Sequence, residues 1–223
     1  MGNGTKLLVF DVDGTLAPHG MPMERETAQA LCELERRGHT VAFASGKPSE
    51  YLDGLARGIG LMDRCMIAEN GGVIFYRGMI HLMAKRPEFF ERLHSDIVRL
   101  FPQARLQHNM VNLTALATGE TLGAVVNHLQ DAGVCDGKSC GYYLHTDSAE
   151  LLPPGVNKGS ALHELKAMAG FSTENTIVAG NAENDVPMRG EAGLFLAVGD
   201  GIEADSRFSD TKALISSLLD YCI

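Results

Sequence analysis

The sequence predicts an α/β protein: a doubly wound core on a parallel sheet, interrupted by an inserted α+β module. Three observations carry this. Short, nearly continuous apolar runs alternate with amphipathic helical stretches, as in a parallel sheet covered on both faces. The rhythm changes at Arg77-Gly78, after which strand signals return as hairpins. After Pro153-Pro154-Gly155 the strand–helix alternation resumes.

Taken in order, residues 6–11 read as a buried strand. Pro22 precedes a helix over about 24–37, with Ala28, Leu31, Cys32 and Leu34 on one face and Gly38 as its stop. Thr40–Ala44 is a second strand, and Pro48 opens a helix to about Arg57. Cys65–Ala68 is a third strand, and Gly71-Gly72 leads into Val73–Tyr76. In the inserted stretch, helices are expected over about 88–100 and 121–131, with strands near 104–108, 111–116 and, as a pair, 142–152. The core then resumes with a helix over Lys158–Ala169 and a strand at 176–179. A short helix at 185–189, a strand at Leu194–Val198 and a helix over 211–220 complete it. The expected division is a discontinuous core, 1–77 and 154–223, with the module at 78–153.

Composition narrows the function. With 19 Lys and Arg against 28 Asp and Glu, the net charge is −9, which argues against nucleic acid as a partner. A small anionic substrate stays compatible, because a metal and one lysine reverse a local field. The stretch Leu7–Phe10 is too short for a signal-peptide core and runs into Asp11. No segment approaches the roughly 20 apolar residues of a membrane span. A cytoplasmic protein that meets no membrane is therefore expected. The five cysteines include no CxxC pair and are expected to stay reduced, although Cys135 and Cys140 bracket a turn signal at Asp136-Gly137. The eight histidines contain no HxxxH pair that would suggest zinc. Nothing points to an oligomeric state.

The first strand ends in Asp11-Val12-Asp13-Gly14-Thr15. Residues i and i+2 of a strand point the same way, so the two carboxylates project together, with alpha carbons about 6–7 Å apart. Such a pair suits a hard cation and covalent catalysis by aspartate, and alone it equally suits an Asp-Gly turn. Ligands of parallel α/β sheets gather at the carboxyl ends of the strands. Three further motifs are predicted there. Ser45-Gly46-Lys47 precedes a helix and can hold a phosphate or simply cap a turn. Lys158 opens a helix, where the dipole repels a cation unless an anion lies nearby. Gly180-Asn181-Ala182-Glu183-Asn184-Asp185 is dense in oxygen ligands suited to Mg2+, or to capping. Together the four supply what phosphoryl transfer through an aspartyl-phosphate needs.

With these four motifs in this order, the chain resembles the haloacid dehalogenase superfamily of phosphohydrolases, whose core is Rossmann-like. DVDGT matches its first motif, Ser45 the second, Lys158 the third and GNAENDVPM the fourth. The insertion after Glu69-Asn70-Gly71-Gly72 looks like the α/β cap of the Cof-type and sucrose-phosphate-phosphatase branch, with a length closest to archaeal-type phosphoglycolate phosphatases. The resemblance implies a Mg2+-dependent phosphomonoesterase acting on a small phosphorylated metabolite, 2-phosphoglycolate or a sugar phosphate. Asp11 would be the nucleophile and Asp13 the general acid and base, also binding Mg2+ through its backbone carbonyl. Ser45, with Gly46, would hold the phosphoryl group, and Lys158 would neutralise its charge. Asp185 would hold the metal shell, and Asn184 would support that loop.

Two positions depart from the pattern. Asn181 stands where relatives usually carry a metal-binding Asp. A neutral amide still ligates Mg2+ with less attraction, Glu183 or Asp185 could compensate, or the site could be attenuated into a phosphometabolite-binding protein. Lys47 stands where relatives often carry Arg, and it lacks the bidentate fork. A phosphomutase of the same superfamily is the other enzymatic alternative. Substrate choice is expected in the insert, with Arg105, His108, Asn109, Asn112 and His145 as candidates.

Overall fold

The computed structural model describes residues 4–135 and 138–222. The Asp136-Gly137 turn on which a pairing of Cys135 with Cys140 would depend lies outside the described residues.

The core opens with β1 (Leu7–Phe10), α1 (Arg25–Arg36), β2 (Thr40–Ala44), α2 (Ser49–Ile59), β3 (Cys65–Ala68), β4 (Val73–Tyr76) and β5 (Met79–Leu82). The inserted stretch contributes α3 (Glu88–Leu100), β6 (Arg105–Leu106), β7 (Leu113–Leu116), α4 (Gly119–Asp131), β8 (Gly141–Leu144) and β9 (Ser148–Leu152). The core closes with α5 (Lys158–Ala169), β10 (Thr176–Gly180), a 3-10 segment (Glu183–Glu191), β11 (Leu194–Val198), β12 (Ser206–Phe208) and α6 (Thr211–Tyr221).

Eight strands form one sheet in the order β12-β11-β10-β1-β2-β3-β4-β5. It is parallel from β12 to β3, and β4 and β5 run antiparallel at one edge. The sheet is therefore mixed rather than wholly parallel. The antiparallel edge follows from its short connections: a hairpin needs few residues, whereas a parallel crossover needs a dozen or more. Arg77 and Gly78 both have positive φ, +50° and +81°, the backbone of a tight hairpin turn. The hydrogen-bonded sheet thus continues past residue 77, through Leu82.

Alternation along β1 sorts the core into two layers. Leu8 and Phe10 join Leu31, Leu34 and Leu52 of α1 and α2 and Leu214 and Leu218 of α6. Leu7 and Val9 join Ala161, Leu162 and Leu165 of α5 and Met188 on the opposite face. Each fully buried leucine contributes roughly 2 kcal/mol, so either layer is strong enough to fix its helices. The same alternation carries residue 11 towards the face of α5.

The inserted stretch folds into an antiparallel four-stranded sheet, β6-β7-β9-β8. Phe90, Leu93 and Ile97 of α3 and Leu122, Val125 and Leu129 of α4 pack on Leu113, Ala115, Ala149 and Leu151. The opposite sheet face, with Thr114 and Glu150 paired in register, is left for the core.

Candidate active site

Asp11 follows the last residue of β1 and stays tied to the sheet by its N–H, which donates to the Ala179 carbonyl at 2.9 Å. The chain then turns back, with the N–H groups of Leu16 and Ala17 both donating to the Val12 carbonyl at 3.0 Å. Gly14 has φ +94°, and a Cβ there would run into the Asn181 amide. Glycine is required at this position on both grounds.

Asp11 is buried, and so are Lys158 and Asp185. The Lys158 Nζ donates to Asp11 Oδ1 at 2.8 Å and to Asp185 Oδ1 at 2.6 Å. Burial works against the lysine's charge, but the two carboxylates outweigh it and hold its pKa above the usual value. Burial, reinforced by the nearby Asp185 charge, pushes Asp11 up to about 7, with Lys158 opposing. Lys158 is the first residue of α5, and the expected anions stand beside it. Asn157 caps that helix in a capping box, accepting from Ser160 N–H at 2.9 Å, which fixes the origin of the lysine.

The 181–185 loop is organised by Asp185. Its Oδ2 accepts from the N–H groups of Asn181 at 2.9 Å and Ala182 at 3.1 Å, while Oδ1 serves Lys158. Asn181 Oδ1 accepts from the Thr15 hydroxyl at 3.1 Å, so Asn181 lies against the first motif. Asp11 Oδ2, by contrast, is buried with no hydrogen-bond partner. An orphaned carboxylate oxygen in a cavity that Asn181 also lines fits a hard, oxygen-seeking cation. Among the described residues, no cluster of three or more His, Cys, Asp or Glu is placed to hold a metal ion. Any ligand set here must therefore draw on amide and backbone oxygens. Glu183 is exposed.

Opposite this floor lies a cavity of about 800 Å³ lined by Asp11, Asp13, Ser45, Gly46, Asn181 and Asn184 among others. Asp13 is half-buried at its rim, with Lys47 Nζ 3.5 Å from Oδ2. Ser45 Oγ accepts from the Lys47 N–H at 3.2 Å, and the Asn70 N–H donates to the Ser45 carbonyl at 2.9 Å. Asn70, at φ +48° and ψ 33°, joins three segments. Its Oδ1 accepts from Asn184 Nδ2 at 3.0 Å, and its Nδ2 donates to Glu150 Oε2 at 2.5 Å.

The structure brings Asp11, Asp13, Ser45, Gly46, Lys158, Asn181, Asn184 and Asp185 to one place. Of the five insert candidates, His145 lines the cavity and the other four do not. Arg105 and His108 are exposed. Asn109 bonds Gln107 and Thr114 within the module. Asn112 is buried against the Glu69 carbonyl. Its neighbours are held by the Glu69 carboxylate, which accepts the N–H groups of Met110 at 2.7 Å, Val111 at 2.9 Å and Asn112 at 3.0 Å. Sequence reasoning missed Asn70, Gln107 and Glu150. Gln107 donates to the Gly46 carbonyl at 2.8 Å, and an acid in the middle of the apolar β9 was the available signal for Glu150.

The chain is 28% identical over 204 residues to the phosphoglycolate phosphatase of Methanoculleus marisnigri, covering 86% of this chain and 83% of that one. The structure superposes on a haloacid dehalogenase-like hydrolase from Bacteroides thetaiotaomicron with a TM-score of 0.82 at 19% identity, covering 99% of this chain and all of that one. A sugar phosphatase of haloacid dehalogenase subclass IIB superposes with a TM-score of 0.72 at 17% identity, over 98% of this chain and all of that one. At these identities the two superpositions speak for the fold alone. The sequence profile of haloacid dehalogenase-like hydrolases matches residues 8–116 and 103–207, and the chain belongs to that family.

Proposed function

We propose that this hydrolase is a phosphomonoesterase that moves the phosphoryl group of a small metabolite first to Asp11 and then to water. The carrying observation is the state of Asp11: one oxygen fixed on Lys158 and the other buried, unpartnered and facing a polar cavity. Oδ2 attacks phosphorus, and the bond from phosphorus to the alcohol oxygen breaks as Asp13 gives that oxygen a proton. Asp13 then takes a proton from water as the water attacks the aspartyl-phosphate, releasing phosphate and restoring the Asp11 carboxylate. Ser45 and the Gly46 backbone orient the phosphoryl oxygens. Lys158 offsets charge on the group in flight, and the Asp185 contacts hold it in place. Asn184 supports this wall through Asn70.

Asp11, Asp13 through its backbone carbonyl, Asn181 and Asp185 are the residues that would hold Mg2+. When bound, the ion supplies the charge that lets a phosphate dianion approach several carboxylates. The inserted module, the expected 78–153 stretch, supplies the far wall and with it the choice of substrate. The relatives' names and the size of the cavity support 2-phosphoglycolate and sugar phosphates as the compounds to try first.

Phosphate release is measured from 2-phosphoglycolate, hexose phosphates and p-nitrophenyl phosphate, with and without Mg2+. Metal-dependent release is expected, reduced at least about a thousandfold by Asp11→Asn. Undiminished release by Asp11→Asn overturns the assignment of the nucleophile. An isomeric ester in place of free phosphate makes the protein a mutase, and binding without turnover makes it a sensor.

A further inference from the structure

The cavity floor handles the phosphoryl group, and the wall contributed by the inserted module meets whatever the phosphate is attached to. Glu150 dominates that wall. In β9, Ala149 and Leu151 pack beneath α3 and α4, so Glu150 points to the opposite face, towards the core. It is only 6% exposed and still lines the cavity. Its two oxygens are used differently. Oε2 is held by Asn70 at 2.5 Å, whereas Oε1 faces His145 Nε2 at 4.0 Å, beyond hydrogen-bond distance. Oε1 lies beside the phosphate loop, 3.0 Å from where a Cβ on Gly46 would stand. Oε1 is open to the cavity, so a donor on a molecule bound there can reach it.

The other charges on the lining indicate which donor fits. Besides Asp11, Asp13 and Glu150, the ionisable lining residues are His19, Lys47, His145 and Asp147. Among the described residues, no arginine lines the cavity. Lys47 is engaged by Asp13 at 3.5 Å. His145, its pKa lowered by burial, lies with Nε2 4.0 Å from Glu150 Oε1. A substrate with a second carboxylate would meet Asp147 and Glu150 with no guanidinium fork to receive it. A substrate bearing hydroxyls offers Oε1 what it lacks. Leu116 and Leu144, on the same wall, suit the carbon skeleton of such an alcohol.

We propose that Glu150 selects the leaving alcohol, accepting a hydrogen bond at Oε1 from one of its hydroxyls, so that esters of polyols and sugars are preferred over esters of hydroxy acids such as 2-phosphoglycolate. This deepens the phosphatase reading and rests on it.

The test compares kcat/KM for glycerol 1-phosphate and ribose 5-phosphate with kcat/KM for 2-phosphoglycolate, using the full chain with Mg2+ at about pH 8, above the value of about 7 to which burial raises Glu150. The wild type is expected to favour the hydroxylated esters by roughly tenfold or more. Glu150→Gln turns an acceptor into a donor and should cut that ratio by about tenfold, improving 2-phosphoglycolate in relative terms. Glu150→Asp, which withdraws the oxygen but keeps the charge, should lower the ratio as well. A wild type that prefers 2-phosphoglycolate overturns the inference without any variant being needed. So does a ratio that stays put in a folded variant. Activity on p-nitrophenyl phosphate separates the two levels: if that ester is cleaved, only the role of Glu150 is at stake. If no ester is cleaved, the phosphatase reading fails and this inference falls with it.

Discussion

A cation at the first position of a helix opposes the dipole, and a buried one must also be desolvated. Lys158 bears both penalties and is offset by two carboxylates at 2.8 and 2.6 Å. That arrangement engages Oδ1 of Asp11 and both oxygens of Asp185, while Asp11 Oδ2 is left without a hydrogen-bond partner and the Asn181 amide oxygen accepts from Thr15. A carboxylate at 181 would attract a divalent cation more strongly than the amide does. Asn181→Asp is therefore expected to lower the Mg2+ concentration for half-maximal activity by roughly tenfold. It adds a third buried-side negative charge to Asp11 and Asp185, so without metal the variant should melt lower than wild type. Its Tm should then rise more steeply as Mg2+ is added. A thermal-shift titration reads this independently of turnover. Unchanged half-saturation in both measurements removes residue 181 from the ligand set.

At the scale of elements, the site depends on where α5 begins. Asn157 accepts from Ser160 N–H, and the Ser160 hydroxyl receives the Asn157 N–H at 3.1 Å. Losing such a cap costs about 1 kcal/mol, which in a chain of this size lowers Tm by about 2–4 °C. For Asn157→Ala we expect that shift together with a fall in kcat, because the same turn sets the height of Lys158 against Asp11. A lowered Tm with full kcat would separate the cap from the lysine. This floor could be read from sequence because each of its parts is local: i and i+2 in one strand, a lysine at a helix start, a polar loop after an apolar strand. The edge strands were harder to read. Met79–Leu82 is exposed at every residue and lacks an apolar alternation, so only the Arg77-Gly78 turn before it carried a signal. Ser206–Phe208 is three residues long. Glu150 and Asn70 escaped because their meaning is non-local. An acid in a strand ordinarily marks the wet face, and it becomes buried only when β9 is brought over the core.

At the scale of the whole molecule, two glutamates sit where the module meets the core, and they differ in their satisfaction. Glu69 accepts three backbone N–H groups from the 110–112 turn and acts as a fastener. Glu150 accepts one side-chain bond, and burial pushes it from 4.5 up to about 7, with Asn70, Lys158 and Lys47 opposing and Asp147 assisting. Its consequence for folding follows by linkage. Between about 4.5 and 7 the folded chain keeps a proton that the unfolded chain has released, so stability falls as pH rises through that window and stays reduced above it. At 1.36 kcal/mol per unit the full loss is of the order of 3 kcal/mol. Glu150→Gln removes the ionisation while leaving an oxygen for Asn70. Its Tm should therefore match the wild type near pH 4.5 and exceed it by several degrees at pH 8. Groups that do not feel the Glu150 charge titrate alike in both proteins and cancel in the difference. A gap in Tm that does not widen with pH would mean that Glu150 ionises freely in the folded chain. A widening gap would show a carboxylate retained against stability at the mouth of the cavity, as expected of a residue whose missing hydrogen bond is completed by substrate.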